Sequence, residues 1–217
     1  MNDESKRMAG GRPREFDIDQ AVTSVLPIFL AKGYEGATFG ELISVMKITP
    51  PSFYAAFGSK EGLFERAMDL YAKKSATIRA QAMASPNAFD ALKSLLQLLA
   101  TAYTQDRLPH GCLFVQGALV CSDKAQAVRD RLTEARSMTE VAVRKRLKQA
   151  EEEDDESVHG NVDQVACLIA TIASGMAVQA VGGTSRDELL KLIDLAMEAI
   201  SPKKTGCPPQ TDEIRNM

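Results

Sequence analysis

Four helix-start signals crowd the stretch from Asp17 to Ser59, and their spacing constrains this chain more than any other feature. Asp17 stands three residues before Gln20, and Ile18, Val22, Val25 and Phe29 then recur on one helical face. An oxygen-bearing side chain just ahead of such a run accepts from the orphan N–H groups of a first turn, so a helix starts there. Gly33 is placed to end it. Thr38 and Glu41 form a capping-box pair before Leu42, Ile43, Val45 and Met46. Thr49 caps a third helix that opens on Pro50 and Pro51, which are tolerated because the first helical N–H groups have no acceptor. Phe53 and Phe57 lie one turn apart on its inner face, and Gly58 stops it. Ser59 caps a fourth, longer helix carrying Leu63, Phe64, Ala67, Met68 and Tyr71 and reaching to about Met83. Short helices separated by a tight turn make the pattern of a helix-turn-helix. Pro27 lies inside the first helix, cannot donate to the Thr23 carbonyl, and predicts a bend or an inserted water.

Beyond Ser85-Pro86-Asn87 the apolar spacing remains helical, over roughly 88–104, 112–121, 123–150, 161–181 and 185–200. Pro109, the acidic run Glu151 to Glu156 and Gly182-Gly183 mark the breaks. No strand-rich segment and no internal repeat interrupts this, so the fold class is all-α: a three-helix DNA-binding head on a larger helical body. With 217 residues, 45% of them hydrophobic, the chain can bury a sizeable core. Four segments follow: a flexible arm over 1–16, the head over 17–58, the body over 59–200 and a mobile tail over 201–217. The arm concentrates Lys6, Arg7, Arg12 and Arg14 in a chain whose net charge is −3, and a local basic cluster of this kind binds phosphates despite an acidic total. The acidic run reads as a solvated linker.

The string Gly33-Tyr34, Thr38, then Ile48-Thr49-Pro50-Pro51-Ser52-Phe53-Tyr54-Ala55-Ala56-Phe57-Gly58-Ser59-Lys60-Glu61-Gly62-Leu63-Phe64 closely resembles the DNA-binding head of the TetR family of bacterial regulators. The resemblance is strong over about residues 12–72 and elsewhere is one of helical organisation and length. Three departures stand out: Pro27, Lys47 at a turn position where the family often has Gly, and Gly40 where some members place a base-reading side chain. The resemblance implies a transcription regulator, a repressor released from a palindromic double-stranded operator by a small molecule. It puts helix three in the major groove, with Pro50, Pro51, Ser52, Ala55 and Ala56 facing base edges and Phe53 and Phe57 turned to the core. Such small side chains offer van der Waals contacts and one hydroxyl, so specificity is shared with DNA shape and with Arg12 and Arg14 in the minor groove. Thr38, Tyr54 and Lys60 match positions that grip the phosphate backbone, and Thr49 caps the reading helix.

In the body, Ala166, Ala170, Ala173, Ala177 and Ala180 form a stripe of small side chains along one helix. Such a stripe admits a close helix neighbour within one subunit or across a dimer. Because the family usually dimerises through its last two helices, the stripe is assigned with Leu192 and Ala196, beside Leu189, Ile193 and Ile200, to a homodimer seam. The effector pocket is assigned to Leu95, Leu99, Tyr103, Cys112, Phe114, Val115, Met138 and Met176, positions that equally fit a packed core. An apolar lining favours an apolar or aromatic effector. The alternative trigger on the same fold is redox or electrophile chemistry at cysteine, with Cys112 and Cys121 as candidates. Nine residues apart on one helix, these two face opposite ways and do not pair.

Two histidines, no dinucleotide or phosphate-binding glycine pattern and no nucleophile motif argue against an enzyme. His110 and Cys112 fall short of a metal site, so neither metal nor cofactor is expected. Four cysteines without CxxC spacing fit a reducing compartment. No apolar stretch is expected to approach the roughly 20 residues that span a bilayer, and the N-terminus lacks an apolar signal-peptide core, so a cytoplasmic protein is expected.

Overall fold

The computed structural model describes residues 17–106, 108–119 and 125–202, with backbone only at 118 and 119. The arm with Arg12 and Arg14, Cys121 and the tail from 203 onward, which includes Cys207, lie outside the described residues. Among the described residues there are nine helices and no strand: α1 (Ile18–Gly36), α2 (Phe39–Met46), α3 (Pro50–Phe57), α4 (Lys60–Met83), α5 (Ala88–Tyr103), α6 (Leu113–Leu119), α7 (Gln126–Glu152), α8 (Val162–Val181) and α9 (Arg186–Glu198).

The caps read from sequence set these boundaries. The Asp17 carboxylate accepts from the Asp19 and Gln20 N–H groups. Thr38 and Glu41 satisfy each other reciprocally, Thr49 accepts from Ser52 N–H, and Ser59 accepts from Gly62 N–H. Gly33, at φ 67° and ψ −174°, breaks α1 before its last turn; this backbone region is open essentially to glycine alone. Backbone angles stay helical through Pro27, and the break in α1 falls at Gly33.

Helices α1 to α3 and the start of α4 form the head, closed by aromatic packing. Phe29 meets Phe64 edge to face at 4.8 Å, and Phe39 meets Phe53 likewise at 4.9 Å. The body packs α5 against α4, α8 and α9, and α7 against α6 and α8, while α1 reaches across to α4 and α6. Buried residues of head and body, from Ala21 to Ile200, make one continuous apolar core.

Two expectations change here. Helix α8 is 20 residues long and contains an 18-residue stretch of mean hydropathy 1.7, long and apolar enough by length and composition to cross a membrane. Here it packs on α7 and α5 and buries Val165, Ile169 and Met176. The acidic run is not wholly a solvated linker either. Asp155 accepts from the Ala88 N–H at 2.6 Å and the Ser157 N–H at 3.0 Å, and it lies 3.6 Å from the buried Arg146 guanidinium. A carboxylate at the N-terminus of α5 meets its orphan donors and its dipole.

Candidate nucleic-acid interface and effector cavity

Helix α3 exposes Pro50, Pro51, Ser52, Tyr54 and Ala55, while Phe53 and Phe57 are buried; Ala56, expected outward, is half-buried. The Tyr54 ring stacks on Phe39 at 5.6 Å and 23°, with 56% of the residue exposed, so its hydroxyl is carried outward on a braced ring. Ser52 and Thr49 hydroxyls lie 3.0 Å apart, which orients the Ser52 hydroxyl on the exposed face of α3.

At the N-terminus of α2 the Thr38 hydroxyl donates to Glu41 Oε2 at 2.8 Å and accepts from the Glu41 N–H at 3.3 Å. Glu41 also pairs with Lys32. The Lys32 and Thr38 contacts hold the Glu41 carboxyl down at about 2. Gly40, where a Cβ would meet nothing within 4 Å, leaves this helix end open on one side. Lys60, the first residue of α4, places its Nζ 4.8 Å from the Tyr34 ring centroid and donates to the Glu35 carbonyl at 3.3 Å. Partial burial lowers its pKa against the opposing charge of Glu35. Thr38, Tyr54 and Lys60 thus occupy three neighbouring parts of the head, two of them helix N-termini that favour anions.

The body encloses a cavity of about 160 Å³, walled by α1, α4, α5, α6, α7 and α8 and by the α5–α6 connection. Of the residues assigned to an effector pocket, Leu99, Tyr103, Cys112, Phe114 and Val115 line it. Leu95 and Met176 do not, because both are fully buried in helix packing. Met138 does not either; it is 43% exposed on α7. The sequence reading missed Thr23, Leu26 and Leu30 of α1, and Tyr71, Lys74, Ser75, Ile78 and Arg79 of α4. Part of that was legible, since Tyr71, Ser75, Ile78 and Arg79 share a helical face with the buried Ala82.

Tyr71, Tyr103 and Cys112 line one part of this wall, with the thiol acting on both phenols. Burial, reinforced by that thiol, pushes both phenols well above their ordinary range, so they remain protonated. The Tyr71 ring also meets Phe114 edge to face at 4.9 Å. Gly111, at φ 104°, donates to the Tyr103 carbonyl at 2.9 Å and turns the chain back beneath this cluster.

The alanine stripe is corrected by burial. Ala166, Ala173, Ala177 and Ala180 are buried inside the subunit, and Ala170 and Ala173 line the cavity. Their small size lets α8 approach its neighbours within one subunit. The apolar side chains left exposed on the last two helices are Leu168, Val178, Val181, Leu192 and Leu195, with Leu192 at 42% and Leu195 at 66%; Ala196 is half-buried.

A helix-turn-helix with an exposed reading helix, on an all-helical body, defines a DNA-binding transcription regulator. Residues 27–67 match the profile described as bacterial regulatory proteins, tetR family, and residues 88–192 match the tetracyclin repressor-like C-terminal domain. The chain belongs to the TetR family of transcriptional regulators. It is 35% identical to a cysteine mutant of the TetR family regulator CifR, solved with 26-base-pair operator DNA; the match covers 87% of this chain and 99% of that one at a TM-score of 0.82. Two transcriptional repressors of Escherichia coli K12 are also similar. ComR is 27% identical over 84% of this chain and 88% of its own length, and BdcR is 29% identical over 88% and 92%.

Proposed function

We propose that this regulator is a cytoplasmic, homodimeric repressor whose grip on a palindromic operator is released when a small molecule enters the body cavity. The observation that carries this is the shared wall. Thr23, Leu26 and Leu30 belong to α1 of the head, yet they face the same space as Tyr103 and Phe114 of the body. A molecule in that space touches the head directly and acts through any difference in its affinity for the two head positions. The solved relatives on operator DNA and the ComR and BdcR repressors support the same direction of control.

On DNA, α3 enters the major groove and Thr38, Tyr54 and Lys60 hold phosphates on either side. The exposed apolar side chains of α8 and α9 form the seam between subunits, which sets two heads about 34–36 Å apart. A mobility-shift titration on the DNA upstream of its own gene, with and without a panel of small aromatic compounds, tests the whole reading. A shift that the panel reverses is the expected result. A protein that never shifts that DNA is not its repressor, and a shift that no apolar or aromatic compound reverses removes the cavity from the mechanism.

One observation favours a second trigger. The Cys112 thiol lines the cavity beside Tyr71 and Tyr103, so an electrophile drawn into the cavity meets a thiol there. Under this reading Cys112→Ser loses the response to an electrophile while keeping the response to a non-reactive aromatic.

A further inference from the structure

The cavity is apolar along most of its wall but not at every point. Leu26, Leu30, Ile78, Leu99 and Val115 form apolar wall, whereas Lys74, Arg79 and Arg136 also line the space, and none of the described lining residues is Asp or Glu. In a chain of net charge −3 this is a local excess of three positive side chains. Arg79 is the telling one. It is half-buried on α4, no carboxylate pairs with it among the described residues, and its charge is felt by both Tyr103 and Cys112. Burial lowers its pKa, the signature of a guanidinium whose charge is poorly compensated.

Two further donors share its wall. Tyr71 and Tyr103 stay protonated and line the same space as Arg79, with Cys112 beside both phenols. A planar fork with two phenolic hydroxyls matches a carboxylate, whose oxygens accept from several donors at once. The remaining volume sets the size of the rest of the ligand. At about 160 Å³ the cavity is close to the roughly 150 Å³ void that accommodates one benzene ring.

Taking the proposed effector role of this cavity as its premise, we infer that the effector is a small monocarboxylate with a single-ring or short aliphatic body. Its carboxylate is received by Arg79, Tyr71 and Tyr103, and its body lies against the leucines of α1 and α5. Lys74, exposed at the cavity wall, and Arg136 add a positive field that draws the anion in. The ligand thereby links α4, which runs on from the reading helix, to α1 of the head.

The test is calorimetric titration of the full-length protein with phenylacetate, benzoate and hexanoate, each against the amide of the same carbon skeleton, with phenyl phosphate as a further arm. At least one acid is expected to bind about tenfold or more tightly than its amide, as a charge-assisted contact requires. Arg79→Gln should bring that ratio to about one while amide affinity stays within about twofold, and Arg79→Lys should keep part of the preference. The preferred acid should also release operator DNA from the wild type. Amides that bind as tightly as acids in the wild type, phenyl phosphate binding more tightly than every acid, or a preference that survives Arg79→Gln would each overturn the carboxylate assignment while leaving an apolar effector cavity in place. Absence of binding by every acid and every amide removes the cavity reading as well. Should Arg79→Gln fail to fold, the wild-type acid-to-amide ratio decides the matter alone.

Discussion

At φ 55° and ψ 43°, Lys47 holds a left-handed conformation that its Cβ disfavours, in the turn between α2 and α3. Ile48 N–H donates to the Ile43 carbonyl and Lys47 N–H to the Ser44 carbonyl, each at 3.2 Å, the paired bonds of a Schellman turn that usually has Gly at this position. Lys47→Gly removes a strain of about 1–2 kcal/mol and adds about 0.5–1 kcal/mol of unfolded-state entropy cost, so a net gain of about 0.5–1 kcal/mol is expected in urea unfolding. Glu41 makes a second prediction. Its carboxyl is depressed from 4.5 to about 2 by Lys32 and Thr38, so the stabilisation is complete above 4.5 and is lost as pH falls toward 2. The melting temperature of wild type should therefore fall more steeply across that window than that of Glu41→Gln; parallel curves would show that the cap contributes nothing in acid. Under the proposed function, Tyr54 and Lys60 hold phosphates. The double alanine variant should lose affinity for operator and random duplex alike, with a shallower dependence on salt.

Arg146 ties two helices together at the far end of the body. It is 4% exposed on α7, contacts the Pro86 carbonyl at 3.4 Å and lies 3.6 Å from Asp155, which caps the start of α5. Asp155→Ala leaves a buried guanidinium short of its nearer carboxylate and the Ala88 N–H without its acceptor. About 2–3 kcal/mol of destabilisation is expected in denaturant unfolding, below the full cost of breaking a buried pair because Glu153 remains 3.7 Å away. The surface links Lys93–Asp194 and Arg131–Glu65 are exposed on both sides, and their removal should change stability by less than about 1 kcal/mol. Helix α1 teaches a related lesson. Pro27 breaks one rung of hydrogen bonding without breaking the helix, because packing of Leu26, Phe29 and Leu30 on both sides holds the backbone in place.

For the whole molecule, the decisive distinction is between the two faces of α8. Ala173 lies against the cavity inside one subunit, whereas Leu168, Val178 and Val181 of α8, like Leu192 and Leu195 of α9, are exposed. Leu195→Arg should leave the fold and melting temperature nearly unchanged and yield monomers in sedimentation that no longer hold a palindrome. Ala173→Arg should instead destabilise the subunit itself, by forcing a charge into packed helices. A Leu195→Arg protein that still sediments as a dimer would place the interface elsewhere.

Helix caps, turn residues and aromatic spacing are local chemistry, and they determined by themselves the four helices from Ile18 to Met83, while the string from Gly33 to Phe64 carried the resemblance to the family. Asp17, Thr38, Thr49 and Ser59 act on N–H groups two or three residues away, so nothing beyond their own turns had to be known. Periodicity also located the body helices to within a few residues. It did not distinguish the buried side of α8 from its outer side, since Ala173 and Val178 belong to equally apolar stripes and only the partners supplied by α5, α6 and α7 cover one of them. The cavity was likewise a tertiary decision. Arg79 and Tyr103 are 24 positions apart in sequence, Thr23 lies further still, and they face one space because α1, α4 and α5 pack around it. Local propensity acts along a helix, whereas burial and charge compensation depend on which helices meet, and that is settled only when the core closes.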